Sequence, residues 1–316
     1  MGKLAFVFPG QGAQSVGMGK DAHDERESSR SVFQLADRRL GYALSDIIFH
    51  GPESELKLTY HTQPALLTVS TAYLGILEEA GVRPDMAAGH SLGEYSALVA
   101  AGVLSFEDAV ATVRKRGEFM DAAVPAGEGA MAAVLGAERD ALRALCEDIS
   151  RQVGTVEMAN VNCPGQIVVS GTSAGVQAVV ERAKEAGAKR VIPLEVSGPF
   201  HSSLMRPAAE RLAAVLAEVP MADARVPVIA NATAEPVTSA RDIRRLLVEQ
   251  VVSPVLWEDC VTRMIELGAD TFVEIGSGTV LAGLIRKISR DVRVISVNSV
   301  ASAEEAAREL SGRVPA

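Results

Sequence analysis

Met86-Ala87-Ala88-Gly89-His90-Ser91-Leu92-Gly93 carries an apolar run into a tight turn, and the next segment, Leu92 to Ala101, has helical periodicity. A short apolar strand that turns through glycines into a helix is a signature of α/β architecture. Similar units lie on both sides. Leu4 to Phe8 runs into Pro9-Gly10-Gln11-Gly12, and Val226 to Ala230, Thr271 to Ile275 and Val292 to Val297 are further apolar runs. The stretches Pro64 to Ala80, Phe106 to Ala122, Pro254 to Leu267 and Val280 to Ile288 read as helices between them. Strands that are apolar along their whole length fit a parallel sheet covered on both faces.

The middle of the chain departs from this alternation. Its pattern predicts a strand (Ala130 to Leu135), a helix (Glu138 to Ile149), two strands (Val156 to Asn160, Gln166 to Ser170), a helix (Ala174 to Ala186) and a strand (Arg190 to Leu194). That order, β-α-β-β-α-β, is the ferredoxin-like unit. Gly127 and Gly129 before it, and Gly198 and Pro199 after it, are candidate joints. The expected organisation is a large α/β domain in two parts, 1–126 and 199–316, with an insert at 127–198.

Composition narrows the function. With 48% hydrophobic and 22% charged residues, the 316-residue chain can bury a large core, and its net charge of −9 disfavours a phosphate backbone as partner. The most apolar stretch, Pro64 to Leu77, is broken by Thr68, Ser70 and Thr71, so no membrane helix is expected. The N-terminus has no secretory pattern, which predicts a cytoplasmic protein. Cys146, Cys163 and Cys260 stand far apart with no histidine at ligand spacing, so neither disulfide nor zinc is indicated and they read as buried fillers.

Gly89-His90-Ser91-Leu92-Gly93 has the G-x-S-x-G pattern in a strand-turn-helix setting, as a nucleophile elbow requires. It also fits a tight turn whose serine merely caps a helix. A nucleophilic serine needs a base. His23, His50 and His61 read as surface residues, and His90 adjoins the serine at a turn where neighbouring side chains diverge. His201 remains: it follows Ser197-Gly198-Pro199-Phe200, opens a predicted helix Ser202 to Ala217, and comes after the serine in the chain.

Four motifs together carry a family resemblance: Phe8-Pro9-Gly10-Gln11-Gly12-Ala13-Gln14, Gly89-His90-Ser91-Leu92-Gly93-Glu94-Tyr95, Asn160-Val161-Asn162-Cys163-Pro164-Gly165-Gln166 and Gly198-Pro199-Phe200-His201-Ser202. In order and spacing the chain resembles the malonyl-CoA:acyl carrier protein transacylases of the acyltransferase family, from about Lys3 to Val297. The resemblance implies a hydrolase-like α/β domain carrying a ferredoxin-like insert, in agreement with the pattern above. It also implies ping-pong acyl transfer: Ser91, activated by His201, takes the malonyl group from coenzyme A and passes it to the phosphopantetheine thiol of acyl carrier protein. The backbone N–H groups of Gln11 and Leu92 match the family's oxyanion donors. A main-chain carbonyl at Gln250, in Glu249-Gln250-Val251-Val252-Ser253-Pro254, matches the group that orients the histidine.

Arg116, in Val113-Arg114-Lys115-Arg116-Gly117, matches the family's substrate arginine. A planar guanidinium suits a free carboxylate, although without the family an arginine in a basic helical run reads as solvated surface, as Arg114 and Lys115 do. Gln63 matches a position near this arginine and equally suits a helix start. Phe200 matches malonyl-selective members, an aromatic ring leaving little room for a branched extender, and also reads as plain core. Asn160 and Asn162 match residues near the pantetheine arm and also suit turns. The resemblance requires no metal or redox cofactor, and its members are commonly monomeric.

Three competing readings follow from the residues. A serine thioesterase or esterase would use the same elbow with water as acceptor, but has no need of Arg116. A dinucleotide-binding module is suggested by Gly10 and Gly12, but Ser15 stands where a third glycine belongs. A non-catalytic docking protein would bind carrier protein without forming an acyl-serine. Carrier proteins are acidic, so docking needs local cations, and Lys184, Lys189, Arg190, Arg286, Lys287 and Arg290 are the candidates.

Overall fold

The computed structural model describes residues 2–311. Its strands are β1 (Lys3–Phe8), β2 (Met86–Gly89), β3 (Gly129–Leu135), β4 (Val156–Cys163), β5 (Gln166–Thr172), β6 (Arg190–Pro193), β7 (Val228–Ile229), β8 (Pro236–Val237), β9 (Ala269–Ile275) and β10 (Arg293–Val297). They form two sheets. The larger has the order β10-β9-β1-β2-β7-β8 and is parallel except for β8, which runs antiparallel to β7.

The strand β1 shows why the sheet is covered on both faces. Successive side chains point to opposite faces, and Leu4, Phe6 and Phe8 enter one apolar cluster while Ala5 and Val7 enter another. The first cluster includes Leu66, Val69 and Tyr73 of the helix Thr59–Glu79 and Leu98 of the helix Gly93–Ala100. The second includes Trp257 and Val261 of the helix Trp257–Glu266 and Ile285 of the helix Val280–Ile288.

The smaller sheet is antiparallel with the order β4-β5-β3-β6. Val134 and Val169 of this sheet pack with Leu142 and Ile149 of the helix Arg139–Gln152 and with Val176 and Val179 of the helix Ser173–Arg182. The expected helix Ala174 to Ala186 is therefore shorter, its last turn tightening to a 3₁₀ turn at Ala183–Ala186.

Several expectations need correction. The helix expected from Pro64 starts earlier, at Thr59, and Pro64 lies inside it. Proline has no N–H, so the Tyr60 carbonyl loses its helical donor; Arg114 Nη1 donates to it instead, at 3.1 Å. Arg114 is half-buried, its guanidinium 4.5 Å from the Tyr60 ring centre and 5.1 Å from that of Tyr42, and is not the solvated residue expected. His61 is buried and not on the surface, with Nδ1 3.0 Å from the Glu55 carbonyl. After β1 the chain continues as loop and turns from Pro9 to Gly19 before the first helix, Lys20–Glu25, so no helix N-terminus stands at Gly10 and Gly12 to hold a dinucleotide. The three cysteines are free and buried, as expected. Among the described residues no helix is long and apolar enough to cross a membrane.

Candidate active site

The turn after β2 is made by close backbone packing. A Cβ on Gly89 would sit 1.9 Å from the Gly93 carbonyl, and one on Gly93 would sit 2.1 Å from the Phe8 carbonyl oxygen. The strand can therefore turn into the helix Gly93–Ala100 directly against β1. Ser91 lies at the apex with φ 51°, a left-handed conformation that a non-glycine residue adopts only when its surroundings hold it. Asn231, just beyond β7, does the holding: its Oδ1 accepts from the Ser91 N–H at 2.7 Å and its Nδ2 donates to the Gly89 carbonyl at 2.7 Å.

His201 meets this apex from the other side. It does not open a helix but occupies a turn with φ 57°, ahead of the 3₁₀ turn Ser203–Met205 and the helix Arg206–Glu218. Its Nε2 is 2.7 Å from Ser91 Oγ, and its Nδ1 is 2.9 Å from the Gln250 carbonyl. A carbonyl only accepts, so Nδ1 carries the hydrogen and Nε2 presents a lone pair to the serine hydroxyl. Burial, reinforced by the positive charge of Arg116, pushes the ring down to about 3. The histidine is thus held neutral, the state a base requires.

Arg116 arrives from the helix Phe106–Asp121 and is 1% exposed. That helix can lie close to the helix Thr59–Glu79 because Gly117 faces it, where a Cβ would be 2.6 Å from Tyr60 Cα. Arg116 Nη1 donates to Gln63 Oε1 at 2.8 Å, while Nη2 donates to Gln250 Oε1 at 2.9 Å and to Ser91 Oγ at 3.2 Å. Its Nε has no acceptor among the described residues. None of these partners is a carboxylate. A buried guanidinium held only by neutral groups is suited to meeting an anion. Gln63 sits within the helix Thr59–Glu79, and not at its start, where its Oε1 accepts from Arg116.

Ser91, His201, Arg116 and Gln63 line one small cavity of about 110 Å³, whose apolar wall is Met120, Met131, Leu194, Val196 and Phe200. Gln11 and Leu92 line it too, and the N–H of neither donates to an acceptor among the described residues. Two free donors beside the Ser91 hydroxyl suit a developing oxyanion. Gln11, His90, Asn160, Leu194 and Val196 are shared with a larger cavity of about 420 Å³. It passes between the loop Pro9 to Gln14, β4, and Val280, Leu281 and Leu284 of the helix Val280–Ile288. A small chamber with polar groups around the serine and an apolar wall opposite, opening on a larger channel, fits a short acyl group on a long arm.

Asn160 and Asn162 lie in strand β4 and are not turn residues. Both line the channel, and Asn162 Oδ1 accepts from His90 Nε2 at 2.8 Å. His90 points there, away from the serine's base position, as expected. The six candidate docking cations are all exposed, and Lys287 Nζ reaches Gln166 Oε1 at 3.3 Å on the rim of the channel.

Sequence reasoning missed Asn231, Glu94 and the side chain of Gln250. The Gln250 amide donates from Nε2 to the Ser91 carbonyl at 3.0 Å and to Glu94 Oε2 at 2.8 Å, besides accepting from Arg116. Asn231 carried a readable signal, being a polar residue at the C-terminal end of a predicted parallel strand, where sites of α/β sheets collect. Glu94 and the Gln250 amide carried none that distinguishes them from surface positions.

Residues 5–310 match the acyl transferase domain family. The malonyl CoA-acyl carrier protein transacylase of Bacillus subtilis (strain 168) is 54% identical over 310 residues, 98% of each chain. The solved acyl-carrier-protein-S-malonyltransferase of Bartonella henselae has a TM-score of 0.95 at 43% identity, covering 98% of this chain and 99% of that one. A type II PKS acyl-carrier protein in complex with its malonyl-transacylase gives 0.94 at 40% identity, covering 97% and 99%. With its serine, histidine and arginine converging in one chamber, this chain belongs to the acyl transferase family, among the malonyl CoA-acyl carrier protein transacylases.

Proposed function

We propose that this protein transfers malonyl groups from malonyl-CoA to the phosphopantetheine thiol of acyl carrier protein, in fatty-acid or polyketide synthesis. The observation that carries this is the buried Arg116, paired with no carboxylate and 3.2 Å from Ser91 Oγ. A malonyl group is short and ends in a carboxylate, so one guanidinium can fix its far end while its thioester carbon meets the serine. A general esterase has no use for such a group.

In the first half-reaction His201 Nε2 takes the hydroxyl proton as Ser91 Oγ bonds to the thioester carbon. Charge gathers on the former carbonyl oxygen, which the Gln11 and Leu92 N–H groups would receive. Collapse breaks the carbon–sulfur bond, and the His201 proton leaves with the thiol of coenzyme A. In the second half the pantetheine thiol gives its proton to His201, attacks the acyl-serine, and the proton returns to Ser91 Oγ. The Gln250 carbonyl stabilises the imidazolium in both halves. No metal or redox group is needed, since every step moves only a proton and an acyl group. Each group invoked comes from one chain, which suits a monomer.

Asn160 and Asn162 would meet the amides of the pantetheine arm along the channel. Phe200, 6% exposed and on the chamber wall, would limit branching next to the malonyl methylene. One methyl is worth about 1–3 kcal/mol in such a pocket, so preference rather than exclusion is expected. The architecture is read as a hydrolase-like domain in two parts, 1–126 and 199–316, with a ferredoxin-like insert at 127–198. The four-stranded order β4-β5-β3-β6 with its two helices supports the insert. Lys189 and Arg190 on the insert, with Arg286 and Lys287 at the end of the helix Val280–Ile288 and Arg290 just after it, would receive an acidic carrier protein.

Intact-protein mass spectrometry after brief incubation with malonyl-CoA, methylmalonyl-CoA or acetyl-CoA tests the reading. A malonyl adduct on the wild type, weaker with the other donors and missing from Ser91→Ala, is expected. Stoichiometric labelling of Ser91→Ala would overturn it.

A further inference from the structure

Beneath the elbow lies a carboxylate that the steps above do not use. Glu94 is 2% exposed, in the first turn of the helix that follows the nucleophile. Its Oε2 accepts from the Asn231 N–H at 3.0 Å and from Gln250 Nε2 at 2.8 Å. The other end of the Gln250 amide, Oε1, accepts from Arg116 Nη2 at 2.9 Å. Guanidinium, amide and carboxylate therefore stand in series, with the amide dipole aligned to the charge at each end. Reversing the amide would set N–H against N–H at Arg116 and oxygen against oxygen at Glu94.

We propose that Glu94 is a positioning residue of the carboxylate clamp: through the Gln250 amide it holds Arg116 at the distance and angle that favour malonyl over uncharged acyl groups. This rests on the malonyl reading above. A buried carboxylate is costly unless it is well hydrogen-bonded, and burial raises Glu94 to about 7 while Arg116 opposes the rise. Without its oxygen, Gln250 Nε2 keeps the Ser91 carbonyl at 3.0 Å and Asn231 Oδ1 at 3.4 Å, both on the elbow side. The amide is then drawn toward the serine and away from the arginine. The Glu94 carboxylate bonds to Asn231 and Gln250 and not to the side chains of the catalytic pair, Ser91 and His201, its only link to Ser91 being the main-chain bond from the Glu94 N–H to the Ser91 carbonyl at 3.0 Å.

The test compares Glu94→Met, which removes the acceptor at similar length, with Glu94→Gln, which keeps a carbonyl able to accept from Gln250. Acylation of Ser91 is followed by rapid quench with malonyl-CoA and with acetyl-CoA. For Glu94→Met, kcat/KM for malonyl-CoA is expected to fall at least about tenfold, mainly through KM, while that for acetyl-CoA changes less than about threefold. Glu94→Gln should recover most of the malonyl preference. Equal losses for both donors, or an unchanged ratio, would overturn the proposal and reduce Glu94 to a structural support. If Glu94→Met fails to fold, a Glu94→Gln ratio below the wild-type value by more than about threefold overturns the acceptor role. A wild-type protein with no malonyl preference would instead refute the malonyl reading itself.

Discussion

Arg116 Nη2 donates to Ser91 Oγ at 3.2 Å, so the guanidinium and the imidazole Nε2 of His201, at 2.7 Å, share the same hydroxyl oxygen. One is a donor and the other a lone pair, so the hydroxyl hydrogen is directed to the histidine. The arginine thus occupies the region that a malonyl carboxylate would enter, and it has only neutral partners to leave.

Replacing Arg116 by Ala should separate the acyl donors. Loss of a buried, charge-assisted clamp is worth about 2–4 kcal/mol, roughly 30-fold to 1000-fold in kcat/KM for malonyl-CoA. Acetyl-CoA makes no use of the clamp and should lose much less. Steady-state rates with both donors check this, and parallel losses would count against a carboxylate-binding role.

His201 should stay neutral well into acid. Because burial and Arg116 push it down to about 3, its ring carbon resonance in ¹³C-histidine NMR should not titrate between pH 7.5 and 5. A midpoint near 6.5, the ordinary imidazole value, would contradict the geometry. The linkage has a definite sign. The unfolded chain binds a proton near 6.5 that the folded chain refuses, so this contribution to stability is complete above 6.5 and declines as pH falls toward 3. Urea unfolding at pH 7.5 and 5, compared between wild type and His201→Phe, reads it.

Asn231→Ala should damage the elbow without touching substrate. It leaves the Ser91 N–H and the Gly89 carbonyl without the partners they have at 2.7 Å. Each unpaired buried group costs about 1–3 kcal/mol, and a left-handed Ser91 then lacks its restraint. A lower melting temperature is expected together with a loss of acylation for every acyl-CoA alike. A donor-dependent loss would place Asn231 in substrate selection instead.

Gly117→Ala tests the seating of the arginine from a distance. The new methyl would meet Tyr60 Cα at 2.6 Å and the Thr59 carbonyl at 2.9 Å, both backbone. Parting the two helices should cost about 1–3 kcal/mol and lengthen the Arg116 to Gln63 bond. A raised KM for malonyl-CoA with acetyl transfer preserved would show it; unchanged stability would mean that the helices part freely.

The strands and the turn at Ser91 were legible because their signals are local. Leu4 to Phe8 and Met86 to Gly89 are uniformly apolar, and glycines bracket Ser91. Two polar helices were not: Glu27–Leu40 buries only Ser29, Phe33 and Ala36, and in Ala240–Val252 the regular buried face of Ile243, Leu246, Leu247 and Val251 is interrupted in sequence by Arg241, Asp242, Arg244 and Arg245. Arg116 was singled out by resemblance, whereas its burial depends on Gly117 and on a second helix far away in sequence. Pro64 misled the boundary, because the loss of its N–H is made good by Arg114, a tertiary partner that periodicity does not reveal. Glu94, Asn231 and Gln250 meet only in three dimensions, at separations of 156 residues and 137 residues.

The pairing of Phe8 with Gly89 has a consequence for how such a protein can change. Gln11 and Ser91 leave neighbouring strands of one parallel ladder, so their separation is inherited from a main-chain spacing of about 4.8 Å. Side-chain substitution does not alter that spacing. The chamber walls, built from Met120, Met131, Leu194, Val196 and Phe200, are made of replaceable side chains on other elements. New acyl groups can therefore be accommodated by rewriting the walls while the reacting frame stays as the backbone sets it.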